Sequence, residues 1–193
     1  PYEPCPAPTR SRWCACSGAV LGRGHMVGCK GEVVQYRQTT PAMNEARLNP
    51  YHTHQILVDA SRTYGEDSLA WGHEIGIRAS LERCYASTKG VPVVLMVVQG
   101  GPNTLDMMLA SAKEGSPLLI LSDSGGAATA LSEYSTGGLS AVSDPVFAAS
   151  EAKLKELCAL DASREGSLMH FYRLADNDTE ESMSTALLRC LFR

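Results

Sequence analysis

From residue 55 onward, short apolar runs alternate with longer segments of helical periodicity. Residues 55–59, QILVD, form a compact apolar run closed by an acid, which predicts a buried strand. Residues 93–98 are apolar at every position, as in a central strand covered on both faces. Leu118–Leu121 is a third such run. Between the first two, residues 73–88 place Ile77, Leu81, Cys84, Tyr85 and Thr88 at i, i+4, i+7, i+8 and i+11, one stripe of a helix. Gly90 follows as a stop signal, and Pro92 opens the next segment. Residues 104–114 predict a helix with Leu105, Met108, Leu109 and Ala112 facing inward and Gly115 just past its end. Residues 127–134 read as a further helix, and 135–143 as a small-residue, flexible connection. Asp144 suits the cap of a helix running to about Leu160, with Pro145 at its first position. Residues 167–174 predict a short strand. Residues 179–192 predict a helix with Met183, Ala186, Leu187, Cys190 and Leu191 on one side.

Strands that alternate with helices argue for a parallel sheet flanked by helices. The expected fold class is α/β, a Rossmann-like three-layer arrangement with a mainly parallel sheet and C-terminal helices. Residues 49–144 form its core, and 145–193 are a helical segment of the same domain. Residues 1–48 read poorly. Four prolines in the first eight residues argue for an irregular start, and the rest of this part is expected to join the sheet. At 193 residues the chain can bury roughly 70% of the surface its unfolded form exposes, enough for a real core. The net charge of −4, with no cluster of Lys and Arg, argues against a nucleic-acid binder. No apolar run approaches the length of a membrane span. The start at Pro1 rather than Met suggests a piece of a longer protein. The seven cysteines have scattered spacings, and Cys84, Cys158 and Cys190 fall on apolar helix faces, which predicts reduced thiols in a reducing compartment.

The candidate chemistry lies in two glycine turns. The run at 93–98 breaks at Gln99 into Gly100, Gly101, Pro102, Asn103 and Thr104. The run at 118–121 breaks into Ser122, Asp123, Ser124, Gly125 and Gly126. Ligands of open α/β sheets bind beyond the carboxyl ends of the strands. There the free N–H groups and dipole of a helix start favour an anion, and glycine leaves the backbone approachable. Two adjacent cradles would suit a phosphate or pyrophosphate. The alternative is a pair of tight connections with no ligand. Asp59 could accept from a ribose or cap a helix. Arg78, one residue off the apolar stripe, could reach a phosphate or be solvated. His52 and His54, and Cys14 and Cys16, lack further ligands at zinc spacing, so no metal is expected.

At these residues the chain resembles a family. The run from Asn49 through His52-Thr53-His54 to Val58-Asp59 resembles the N-x-x-H-T-H-F-I-L-V-D segment in the cytosolic N-terminal domain of TRPM (melastatin-type) cation channels. Ile77-Arg78-Ala79-Ser80-Leu81-Glu82 is similar to the family's L-R-x-x-L-E, Val97 to Thr104 to V-V-E-G-G-P-x-T, and Ser124 to Ala128 to G-S-G-x-A-A-D. The segment from Glu165 to Phe192 is similar to the closing L-L-T-V-F … A-L-L-K-A segment. The resemblance implies a Rossmann-like SLOG (LSDAT) domain that binds ADP-ribose or another adenine nucleotide and couples binding to gating. It implies no further cofactor. It places Tyr64 and Arg78 at ADP-ribose-contacting positions and Gly100 to Thr104 at the phosphate-facing turn, with Ser124, Gly125 and Gly126 beside them. The implied partners are the nucleotide and the other domains and subunits of a tetrameric channel, on the cytosolic face of the membrane. Gly126 stands where the ADP-ribose-sensing members carry Arg, closer to the calcium-activated, monovalent-selective branch.

Two other functions compete. SLOG relatives include phosphoribohydrolases with P-G-G-x-G-T-x-x-E at the first turn. Here Gln99 replaces the Pro, Asn103 the later Gly and Met107 the Glu. A thioether cannot activate water or stabilise an oxocarbenium ion, and Asp106 lies on another helix face, so an enzyme is not expected. The third reading is an assembly module with a vestigial crevice.

Overall fold

The computed structural model describes Ile56, Val58, Gly72 and residues 74–175 and 182–192. The chain divides into two compact units, Pro1–His73 and Glu74–Arg193, and all the elements below belong to the second. In chain order they are α1 (Ile75–Lys89), β1 (Leu95–Val97), α2 (Pro102–Lys113), β2 (Leu118–Leu121), α3 (Gly126–Gly137), α4 (Pro145–Ala148), α5 (Glu151–Ser163), β3 (Met169–Tyr172) and α6 (Met183–Leu191).

The three strands pair in the order β1-β2-β3, and both pairings are parallel. A parallel pair needs a crossover, which α2 supplies between β1 and β2, and α3 to α5 between β2 and β3. Leu119 of β2 faces Met96 on one side and His170 on the other. All four residues of β2 are buried, because helices cover both faces of the centre of the sheet. On one face Val97, Leu118 and Ile120 pack with Leu105, Met108 and Leu109 of α2, Leu131 of α3 and Leu154 and Leu157 of α5. On the other, Leu119 and Leu121 pack with Ala186 and Cys190 of α6. The expected α/β, Rossmann-like arrangement is therefore present.

The expected elements are found with small shifts at their ends, and the inward residues of α2 are those expected. The strand expected at 55–59 falls largely outside the described residues; of its two described residues, Ile56 and Val58, neither is in a strand, and Ile56 is exposed rather than buried. The helix expected from 145 to about 160 is broken at Ala149 and Ser150, where the Ser150 carbonyl begins the bonding of α5 by accepting from Lys153 N–H at 3.0 Å. Asp144 caps α4 as expected, accepting from Val146 N–H at 2.9 Å. The connection expected to be flexible at 135–143 is tied down. α3 runs on to Gly137, and the Glu133 carboxylate accepts from the N–H and hydroxyl of Ser143 at 2.8 and 3.0 Å. Of the described cysteines, Cys190 is buried, Cys158 half-buried and Cys84 exposed, and none of the three is in a disulfide.

The larger departure is in α1. Its expected inward stripe points outward: Ile77 is 54% exposed, Leu81 48% and Tyr85 46%. The buried positions are Ile75 and Ala79. Ala79 is small enough to let α1 lie close to α2, and the adjoining flank carries an ion pair, Arg78 Nε to Glu82 Oε1 at 3.1 Å. Tertiary contact, rather than the apolar moment of the helix, selects the inner face here.

The outward face of α1 should be far less sensitive to mutation than the core. Leu105→Ala, at a fully buried position, should cost about 2–5 kcal/mol. Ile77→Ser and Leu81→Ser should stay within about 0.5 kcal/mol. Urea denaturation of the three variants measures the difference.

Candidate functional site

Because β1 and β2 are adjacent and parallel, their carboxyl ends bring the two glycine turns side by side. The turns are bonded to each other. Gln99 N–H donates to the Ser124 hydroxyl at 2.8 Å, and that hydroxyl donates on to the Leu121 carbonyl at 2.7 Å. The Gln99 carbonyl accepts from Ala128 N–H at 3.1 Å, and the Gly100 carbonyl from Ala127 N–H at 2.9 Å. These are first-turn N–H groups of α3, which have no acceptor within their own helix. The first glycine turn thus caps α3.

Close packing makes this possible. Ala127 and Ala128 are fully buried and Ala130 nearly so. A Cβ at Gly126 would collide with the Gly100 carbonyl oxygen and stand 3.0 Å from the Gln99 carbonyl carbon, and Gly126 also has φ +57°. Gly100 has φ +96°, and a Cβ there would lie 2.5 Å from Thr104 Oγ1. Gln99 itself has φ +56°, an uncommon conformation for a residue with a side chain and one that costs about 1–3 kcal/mol. Gly125 N–H donates to Thr129 Oγ1 at 2.8 Å, and Thr129 donates to the Ser122 carbonyl at 2.7 Å.

The two helix starts therefore differ from the symmetrical pair of cradles expected from the sequence. At α3 the N–H groups of Gly125, Ala127 and Ala128 are bonded within the protein. At α2, Gly101 is the N-cap in an extended conformation, φ −89°, and no side chain caps the helix. Pro102, at the first position, has no N–H, and Thr104 N–H donates to the Gly101 carbonyl at 2.9 Å. The N–H groups of Gly100, Gly101 and Asn103 have no acceptor among the described residues. A Cβ at Gly101 would meet nothing within 4 Å, so this end of the crevice is open.

Asp123 anchors the second turn to the end of β3. Its carboxylate accepts from Leu174 N–H at 2.8 Å and Ala175 N–H at 2.7 Å. These two bonds, Leu174 first, hold its carboxyl below the ordinary 3.8. Ser122 N–H adds a bond to the Tyr172 carbonyl at 2.9 Å.

Of the remaining expected site residues, Tyr64 lies outside the described residues, as do Asp59, His52, His54, Cys14 and Cys16. Arg78 is on α1, which packs against α2. Its side chain is 15% exposed and paired with Glu82, and its Nη1 is buried without a hydrogen-bond partner. No bond links Arg78 to the first glycine turn among the described residues. Asp106 holds Lys153 of α5, Nζ lying 2.7 Å from Oδ1 and 2.8 Å from Oδ2. Sequence reasoning passed over three residues that shape the crevice: Gln99 and Thr129, whose bonds set the turns, and Asp123. Asp123 stood within the quoted turn, but its partners lie about fifty residues away, and nothing local signals them.

Fold and turns together define a Rossmann-like α/β domain of the kind that takes ligands beyond the carboxyl ends of its strands. The family model described as SLOG in TRPM matches residues 14–144, more than half of the chain. The chain belongs to that family, the SLOG domains of TRPM channels. It is 38% identical over 102 residues to transient receptor potential cation channel subfamily M member-like 2 of Nematostella vectensis, covering 48% of this chain and 6% of that protein. It is 32% identical over 133 residues to subfamily M member 1 of Mus musculus, covering 63% and 8%. It is 34% identical over 123 residues to subfamily M member 6 of Homo sapiens, covering 59% and 6%. The chain thus spans less than a tenth of these relatives' length. Among the described residues no helix is long and apolar enough to cross a membrane.

Two outcomes follow from the bonding of the turns. Gly126→Ala should destabilise the protein by about 2–5 kcal/mol, from steric overlap and strained φ together. Thermal and urea denaturation would show it, whereas a neutral result would mean the turns are not locked. Asp123 has a depressed folded pKa, so its contribution to stability is present above the ordinary carboxyl value and lost as pH falls through the depressed one. Asp123→Asn should therefore flatten part of the fall in stability between about pH 4 and the acid end, measured by denaturation of both proteins across that range.

Proposed function

We propose that this chain is the ligand-sensing part of a TRPM-type cation channel, at the cytosolic face of the membrane. The ligand is an ADP-ribose-like adenine nucleotide. Its phosphate meets the N–H groups at the start of α2, flanked by Gly100, Gly101, Pro102, Asn103 and Thr104, and Arg78 supplies the opposing charge. Ser124, Gly125 and Gly126 complete the set that the family resemblance suggests among the described residues. Binding is coupled to the other domains and subunits of the channel. The observation that carries this reading is the open, uncapped start of α2, where even a Cβ at Gly101 would meet nothing. An anion there would gain from both the free N–H groups and the helix dipole.

Binding occurs without catalysis. Met107 stands where the hydrolase pattern has its acid, and the carboxylate of its neighbour Asp106 is engaged by Lys153. The sealed start of α3 supports a second reading, an assembly module that packs against other channel domains and holds no nucleotide. With only one helix start open, the crevice offers N–H groups to one phosphate rather than to two.

Calorimetric titration with ADP-ribose, ATP and AMP separates these readings. Gly101→Ala is a clean probe, since φ at this residue is ordinary and the added methyl group enters open space. It should weaken binding with little change in melting temperature. Arg78→Ala should remove a charge-assisted bond of about 1.5–3 kcal/mol, a roughly ten- to hundredfold loss of affinity. Affinity should fall with added salt. No binding at millimolar nucleotide would leave the assembly reading. Release of free base from AMP, abolished by Asp106→Asn, would show an enzyme instead.

A further inference from the structure

The two layers that cover the sheet are held very differently. On one face α2, α3 and α5 share the main core. On the other, α6 covers Leu119 and Leu121, and within α6 only Ala186 and Cys190 are buried. This second layer is also narrow. Met96 pairs in register with Leu119 and so lies on the same face, yet Met96 and, two residues on, Val98 are exposed. α6 has nine residues, below the length at which a helix persists in water without support. Leu188 within it and Phe192 at its end are exposed and contribute little to its docking.

The approach to α6 is held by polar bonds. β3 ends at Tyr172, and the chain leaves it through Leu174 and Ala175 towards α6. The Asp123 carboxylate accepts from the N–H groups of both, one on each oxygen, at 2.8 and 2.7 Å. Ser122 donates to the Tyr172 carbonyl with its N–H at 2.9 Å and with its hydroxyl at 3.2 Å. Bonds from N–H groups to a carboxylate are stronger than those between neutral groups. Both Asp123 bonds are nevertheless exposed, so water competes for them. An element held by few apolar contacts and exposed hydrogen bonds opens before the core does.

We propose that α6 is a detachable cover of the sheet and that Asp123 is its latch. When the clasp on Leu174 and Ala175 opens, α6 leaves Leu119 and Leu121 while α2, α3 and α5 stay packed. The opening joins Leu119 and Leu121 to the exposed Met96 and Val98 as one apolar strip across β1 and β2. The latch belongs to the second glycine turn, so α6 is fastened to the turn that lies beside the crevice. None of this requires a bound nucleotide.

The test is amide hydrogen exchange on the full 193-residue chain, read by mass spectrometry. α6 should exchange at least about a hundredfold faster than the centre of α2. Urea should accelerate α6 far less than α2, because opening α6 exposes little surface. Asp123→Ala should speed exchange in α6 about tenfold, the effect of losing a hydrogen bond to a charged group, and leave α2 unchanged. Asp123→Asn keeps one acceptor and should give a smaller rise in the same direction. Leu188→Gly, at an exposed site in α6 itself, should speed α6 alone by about fourfold. Labelling of the buried Cys190 thiol should rise in step with α6 exchange in all three variants. Exchange in α6 as slow as in α2, with the same urea dependence, would overturn the cover. Exchange in α6 unmoved by Asp123→Ala, while Leu188→Gly moves it, would overturn the latch. An equal rise in α2 and α6 in Asp123→Ala would show a loss of overall stability and overturn the latch as well.

Discussion

The described unit depends on one constraint: the first-turn N–H groups of α3 take their acceptors from the carbonyls of Gln99 and Gly100. A helix start buried in a domain must find acceptors from outside the helix. Here they come from the neighbouring strand's exit turn, which fixes that turn as well. Gln99 accepts a left-handed conformation, and Gly126 must lack a side chain, because both carbonyls have to point at α3. The three buried alanines of α3 follow from the same requirement, since larger residues would hold the helix away from β1 and its turn.

This constraint makes the crevice unsymmetrical. With the start of α3 sealed, the start of α2 is the end that faces open space. The second glycine turn is also tied down by side chains: Ser124 bonds to Gln99 and Leu121, Thr129 to Ser122 and Gly125, and Asp123 to Leu174 and Ala175. The glycines of the two turns thus have different reasons for being glycine. Gly100 and Gly126 are required by conformation and close approach. Gly101 is not, as its backbone is ordinary and its surroundings empty. Packing therefore does not explain the glycine at this position.

Helix α1 shows polar chemistry displacing apolar patterning. Its apolar stripe lies exposed, while Arg78 and Glu82 occupy a less exposed flank beside the buried Ile75 and Ala79. A periodicity argument weighs side chains by polarity alone. It cannot see that a small alanine gives the closest approach to α2, or that a guanidinium can be shielded if part of it is paired.

The sequence by itself determined the order of the elements from α1 onward, the parallel pairing of the sheet and the inward faces of α2 and α6. These rest on local periods, continuous apolar runs and turn residues, which need no knowledge of distant contacts. It also located both glycine turns, since a strand that ends in glycine before a helix is a local pattern. Only the tertiary structure decided which turn is open, which face of α1 is inner, that the helix from Pro145 is broken at Ser150, and that Asp123 ties β2 to β3. Each of these depends on which backbone group lies within hydrogen-bond distance of another far along the chain, and no local pattern of residue types encodes such a distance.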